Sequence, residues 1–142
     1  MKFSDGLWLN QRGFDVSYAV QAYDVTTTKN SIKIFATSSA IWNRAMTLGG
    51  VAFEITYTAV APDMIRVHIC HHKGGLQNKP QFELNLPEGY VPDDIHEEDG
   101  FVSMTAGHTT LKIKKGTDGW DVSFSRDGKR LTGGGWRLSL LH

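Results

Sequence analysis

Alternation of apolar and polar residues with period two is the feature that most restricts this chain. Val51, Phe53, Ile55, Tyr57 and Ala59 alternate with Glu54, Thr56 and Thr58. Successive side chains of a strand point to opposite faces, so this segment reads as one half-buried strand over 51–60. Ala61-Pro62-Asp63 follows. Proline fixes φ and has no amide hydrogen for a ladder, so a turn is expected there. Met64 to His71 alternates again, with Ile65, Val67 and Ile69 on the expected core face. Two strands joined by a tight turn read as an antiparallel hairpin.

The same period recurs along the chain. Ser31 to Ala36 alternates after Lys29-Asn30, and Phe82, Leu84 and Leu86 resume the pattern after Gly74-Gly75. Phe101 to Ala106, Thr109 to Lys115 and Trp120 to Ser125 read as three further short strands. Asp127-Gly128 tolerates the positive φ values of a type I′ turn, so Arg126 to Lys129 is expected to close a hairpin. Residues 92–100 are polar and acidic and read as an exposed loop. Ala40 to Leu48 has the residues for one helical turn or two, and no amphipathic helix is expected elsewhere. Short strands with turns every 8–12 residues or so predict an all-β fold, an antiparallel β-sandwich. The last strand, Trp136 to Leu141, runs almost to His142, which reads as a domain continued beyond it and a strand edge open to a second copy.

Composition narrows the class. The chain has 142 residues, enough to bury roughly two thirds of its unfolded surface in one core. Fifteen basic and fifteen acidic residues cancel, so no long-range field draws it to nucleic acid or an anionic membrane. Cys70 is the only cysteine, which excludes an internal disulfide and fits a reducing cytoplasm. Met1 to Gly6 lacks the apolar core of a signal peptide, and no apolar run reaches the ~20 residues of a membrane-spanning helix.

Candidate chemistry is sparse. His68, Cys70 and His72 share one strand face, and imidazole and thiolate suit zinc. Ligands spaced about 6.7 Å along one strand fit a tetrahedron poorly, so the reading is an ordinary strand face. His71 falls on the opposite face and reads as a hydrogen-bonded histidine at the sheet margin. Asp93, Asp94, Glu97, Glu98 and Asp99 offer oxygen ligands without the spacing of a calcium loop. Asp24, Glu54, Glu83 and Asp121 lie on different strands, and no pair of them is assigned as glycosidic acid and base. Gly133-Gly134-Gly135 lacks the lysine and helix of a phosphate loop and reads as a turn or bulge. Trp8, Trp42, Trp120, Trp136, Tyr18, Tyr23, Tyr57 and Tyr90 could stack on sugar rings where exposed. Trp120 and Trp136 are in phase with apolar neighbours and read as core, whereas Trp8 and Trp42 are less constrained. No catalytic residue, metal site or cofactor is assigned.

Three blocks carry a resemblance. Met1 to Leu9 form the first. Phe53 to His72, with Lys73 to Asn78 and Phe82-Glu83-Leu84, form the second, and Trp120 to Gly133 the third. In this order and spacing they resemble the N-terminal region of glycoside hydrolase family 31 enzymes, nearest the bacterial α-xylosidases. The resemblance implies a galactose-mutarotase-like β-sandwich, incomplete here, preceding a (β/α)₈ barrel. It implies a cytoplasmic retaining α-glycosidase as the parent, an α-xylosidase or α-glucosidase. The substrate, an α-xyloside or α-glucoside, would be cleaved in the barrel. The barrel's Lys-Thr-Asp-Phe-Gly-Glu-like nucleophile segment does not occur in this chain. Residues 1–142 are thus expected to be a non-catalytic N-terminal segment, part of a homo-oligomer, bracing the barrel and pocket entrance. The alternatives are a free-standing carbohydrate-binding module and an interaction domain without a ligand.

Overall fold

The computed structural model describes residues 12–71, 74–75, 85–116, 119–135 and 139–141. Eleven strands are described: β1 (Val16–Tyr18), β2 (Gln21–Thr27), β3 (Ser31–Thr37), β4 (Ala52–Ala61), β5 (Met64–Cys70) and β6 (Asp94–Glu98), then β7 (Phe101–Ala106), β8 (Thr109–Lys114), β9 (Val122–Arg126), β10 (Lys129–Gly134) and β11 (Ser139–Leu141). Strands β2-β3-β4-β5 form a four-stranded antiparallel sheet, and β10-β9-β8-β7-β6 a five-stranded one. A short β1–β11 pair completes the described strands. The architecture is the expected all-β sandwich.

The core lies between the two sheets. The four-stranded sheet contributes Ile32, Ile34, Ala36, Phe53, Ile55, Tyr57 and Ala59. The other contributes Val102, Met104, Ala106, Leu111, Ile113 and Val122, with Trp120 just before β9. These are the period-two residues of each strand, and full burial of each large one contributes roughly 1.5–3 kcal/mol. Register follows the same logic. Ile34 opposes Ile55 and Ile32 opposes Tyr57, so a slip by one residue would turn the whole apolar set to solvent.

Several expectations are met residue by residue. The Pro62-Asp63 turn joins β4 to β5 with Asp63 at φ +60°. Asp127 and Gly128 both have positive φ, 49° and 78°, as a type I′ turn requires. Trp120 is buried.

Other expectations are corrected. Residues 92–100 are not all loop: Asp94–Glu98 is strand β6, paired with β7 from Asp94↔Thr105 to Glu98↔Phe101. The pattern hides this because β6 is an edge strand with a single apolar side chain, Ile95, opposite Met104. Glu97 shares the inward phase and ends in an ion pair with Lys115 at 2.8 Å. An inward charge on an edge strand discourages pairing with further chains. Gly133 and Gly134 are strand residues opposite Ser123 and Val122, beside a register shift between Arg130 and Thr132. A Cβ on Gly133 would collide with the Val122 carbonyl oxygen, so glycine allows the close strand approach there. Residues 40–48, by contrast, hold the short helical turn expected there, the 3₁₀ turn Arg44–Leu48.

The terminal strand has β1 of the same chain along one of its edges. Ser139, Leu140 and Leu141 oppose Tyr18, Ser17 and Val16. The strand expected around Phe82 and Leu84 lies outside the described residues, as do Trp8, His72, Glu83 and Trp136.

Candidate functional site: the outward face around Tyr23

The four-stranded sheet has an unusual outer surface. In an antiparallel sandwich the solvent side is normally polar. Here Tyr23 and Phe35 are 50% and 45% exposed, and Trp42 beside them is 67% exposed. Phe35 points outward by the plain alternation of β3, and a β-bulge puts Tyr23 and Asp24 together on the same face. The β2–β3 register shifts between Ala22 and Asp24, leaving Tyr23 as the extra residue. Ala22 stays buried while both Tyr23 and Asp24 become exposed. Bulges re-aim side chains in this way. Tyr23 then meets Phe35 edge-on, with ring centroids 6.4 Å apart and planes at 69°.

Trp42 is delivered by the excursion between β3 and β4. Its two ends are tied together: Ser38 N–H donates to Val51 O at 2.9 Å, and Val51 N–H to Ser38 Oγ at 2.7 Å. Buried Gln21 accepts from Ile41 N–H through Oε1 at 2.7 Å, which anchors the residue before Trp42 onto β2. Asn43 caps the 3₁₀ turn by accepting from Ala45 N–H at 3.0 Å.

Two open depressions result, and Tyr23 forms a wall of each. One, of about 660 Å³, is lined by Tyr23, Asp24, Thr26, Lys33, Phe35 and Glu54. The other, of about 260 Å³, is lined by Tyr23, Ile41, Trp42, Asn43, Arg44 and Thr47. Lys33 Nζ and Glu54 Oε2 pair at 2.8 Å across the first.

Of the four strand carboxylates considered from sequence, this face brings together Asp24 and Glu54. Both oppose Phe35 in register, one on each side. Their backbones are therefore about two strand spacings apart, roughly 9.6 Å, with the Phe35 position between them. Glu54 is engaged by Lys33. Asp121 lies with the other sheet, 3.8 Å from Arg130.

The remaining candidates do not converge. His68 and Cys70 share the outward face of β5, opposite Thr56 and Glu54. His71, just past β5, places Nδ1 3.2 Å from Ala52 O and its ring edge-on to Phe53. The acidic run divides between the two faces of β6, and Asp93 instead accepts from Gly107 N–H at 2.6 Å. Among the described residues no group of three or more His, Cys, Asp or Glu gathers to hold a metal ion. Among them, too, no helix is long and apolar enough to cross a membrane. Tyr57 is core, and burial pushes its phenol well above the usual range. The bulge at Tyr23 was missed from sequence, since no glycine or proline marks it.

A third opening lies between the sheets, where edge strands β5 and β10 approach. Tyr57, Val67, Ile69, Val122, Phe124, Thr132, Gly133 and Gly134 enclose about 290 Å³. Val67, expected in the core, is 43% exposed there. It faces the right way, but nothing packs fully over an edge strand.

The fold and this face define a two-sheet antiparallel sandwich domain with an aromatic-lined outer surface. No protein-family profile matches the chain. Its sequence is similar to the α-xylosidase XylQ of Lactiplantibacillus pentosus, 26% identical over 132 residues, which cover 93% of this chain and 17% of that enzyme. It is also similar to an α-xylosidase of Emericella nidulans, 27% identical over 148 aligned positions, covering 96% of this chain and 18% of the relative. The resemblance to α-xylosidases thus extends over nearly the whole chain. The chain spans less than a fifth of the length of these curated relatives.

Proposed function

We propose that this chain is the non-catalytic N-terminal β-sandwich segment of a family 31 retaining α-glycosidase, an α-xylosidase or α-glucosidase. One observation carries the reading: two α-xylosidases match over 93% and 96% of the chain but only 17% and 18% of their own lengths. Hydrolysis then belongs to the remainder of such an enzyme, a (β/α)₈ barrel that takes the α-xyloside or α-glucoside. The segment braces that barrel and the entrance to its pocket, in a cytoplasmic homo-oligomer without nucleic-acid or membrane partners.

The test is a segment exchange. This chain replaces the matching segment of the Lactiplantibacillus enzyme, and aryl α-xyloside hydrolysis is measured. Restored activity relative to the segment-deleted enzyme is expected, with no turnover by the 142-residue chain alone. Turnover by the purified chain, free of contaminating enzyme, would overturn the non-catalytic reading. An exchanged enzyme that is soluble but inactive would overturn the bracing role. Light scattering of the active exchanged enzyme reads the oligomeric state.

A second reading is favoured by exposed Trp42, Tyr23 and Phe35: the segment itself contacts carbohydrate. Aromatic faces pack against the C–H faces of sugars, and exposure of three on one surface is costly without a ligand.

A further inference from the structure

We infer that the two depressions on either side of Tyr23 form one site for a neutral pyranose oligosaccharide of at least two rings. This rests on the sugar-contact reading above and names the place and the ligand class.

Three features of the face point to that ligand. The first is the aromatic arrangement. Tyr23 and Phe35 stand edge-to-face at 69°, which leaves ring surface uncovered, and Trp42 is exposed on the far side of Tyr23. Stacked sugar rings need apolar faces of this kind. The second is the polar rim. Asp24 and Glu54 offer carboxylate acceptors, Asn43 an amide, and Thr26 and Thr47 hydroxyls. Sugar hydroxyls both donate and accept, so a mixed rim matches them and an apolar peptide does not. The third is charge balance. Asp24 and Glu54 are offset by Lys33 and Arg44, and Lys33 is already paired with Glu54. An anionic ligand would find no net positive field. Two depressions sharing one aromatic wall suit two consecutive rings of a chain.

The supports of the face are more rigid than its exposure suggests. Trp42 follows a residue bonded to buried Gln21, and the excursion carrying it is closed at Ser38 and Val51. Such preorganisation lowers the entropic cost of binding.

The test is an NMR titration of the full chain with xylo- and gluco-oligosaccharides. Expected are shifts concentrated at Tyr23, Asp24, Phe35, Trp42 and Asn43, and larger for a disaccharide than for a monosaccharide. Trp42→Ala and Phe35→Ala should each weaken binding by roughly fivefold, the worth of one aromatic contact. Trp42→Phe should retain most of it, and Leu131→Ala on the opposite sheet should leave it unchanged. Unaltered circular dichroism of the variants separates lost binding from lost fold. Sugar-induced shifts confined to the crevice around Val67 and Phe124 would overturn this site while leaving sugar contact in place. No shift with any sugar at tens of millimolar would overturn both. Shifts only with uronic-acid oligomers would overturn the neutral class. Concentration-dependent shifts of Tyr23 and Trp42 without sugar would assign the face to protein contact and overturn the inference.

Discussion

Asp63 Oδ1 accepts a hydrogen bond from the His108 backbone N–H at 2.6 Å, joining the turn of one sheet to a turn of the other. Asp63 N–H donates in return to Ala106 O at 3.1 Å. Arg126 Nη2 lies 3.5 Å from Asp63 Oδ2. The β4–β5 turn is thereby clasped onto the β7–β8 turn at one end of the sandwich.

The clasp has a pH signature. The His108 N–H bond, reinforced by the Arg126 charge against an opposing desolvation, holds the Asp63 carboxyl below its usual range. A carboxyl lowered in the folded state contributes stability above its unfolded pKa, ~3.9, and loses it as pH falls through the lower folded value. Asp63→Asn should therefore be less stable than wild type at neutral pH, with the difference shrinking below about pH 4. Urea midpoints across pH 2–7 for both proteins check this. A constant difference over that range would show that the charge is irrelevant.

Gly107 makes the clasp possible. Its φ is +62°, and a Cβ there would stand 2.8 Å from Asp63 Oδ1 and 3.1 Å from Asp63 N. Gly107→Ala should lose about 2 kcal/mol or more, since left-handed backbone alone costs ~1–2 kcal/mol and the clasp must also open. Gly100 also has positive φ, +84°, but no atom of the described residues lies within 4 Å of its Cβ position. Gly100→Ala should cost about 1 kcal/mol, the conformational part alone. Chemical denaturation of the two variants separates conformational strain from collision.

Ile55 sits opposite Ile34 in the middle of its sheet, both fully buried. Ile55→Ala should cost about 2–5 kcal/mol, transfer and cavity together. Trp42→Ala, which removes a larger but exposed side chain, should change stability by no more than about 0.5 kcal/mol. Equal effects in thermal melts would contradict the burial assigned to these two positions.

Trp120 is buried, yet among the described residues its indole Nε1–H has no hydrogen-bond partner. An unmet buried donor costs ~1–3 kcal/mol, so Trp120→Phe removes a penalty along with some packing. It should be far milder than Trp120→Ala, which is expected to lose about 3–5 kcal/mol. Similar melting temperatures for the two variants would show that packing against the ring contributes little.

Much of this architecture was legible in the residues. Phe53, Ile55, Tyr57 and Ala59 declare their buried face by alternation alone. Asp127-Gly128 declares its turn because few residues tolerate positive φ. Strand β6 was not legible, because an edge strand needs only one neighbour and can carry charges on both faces. The aromatic face was half legible: Trp42 stood out as unconstrained, but nothing in the residues marks the bulge that puts Tyr23 and Asp24 on the same outward face.

Sequence alone determined strands β3, β4, β5, β7, β8 and β9, the main turns, the sheet faces of those strands and the resemblance to α-xylosidases, because period-two patterning and turn chemistry are local. Tertiary structure decided what covers each face. It left Val67 half exposed at an edge, tied Asp63 to the opposite sheet, and gathered Tyr23, Phe35 and Trp42 on one surface. Those outcomes depend on register and on contacts between segments distant in the chain, which local periodicity does not encode.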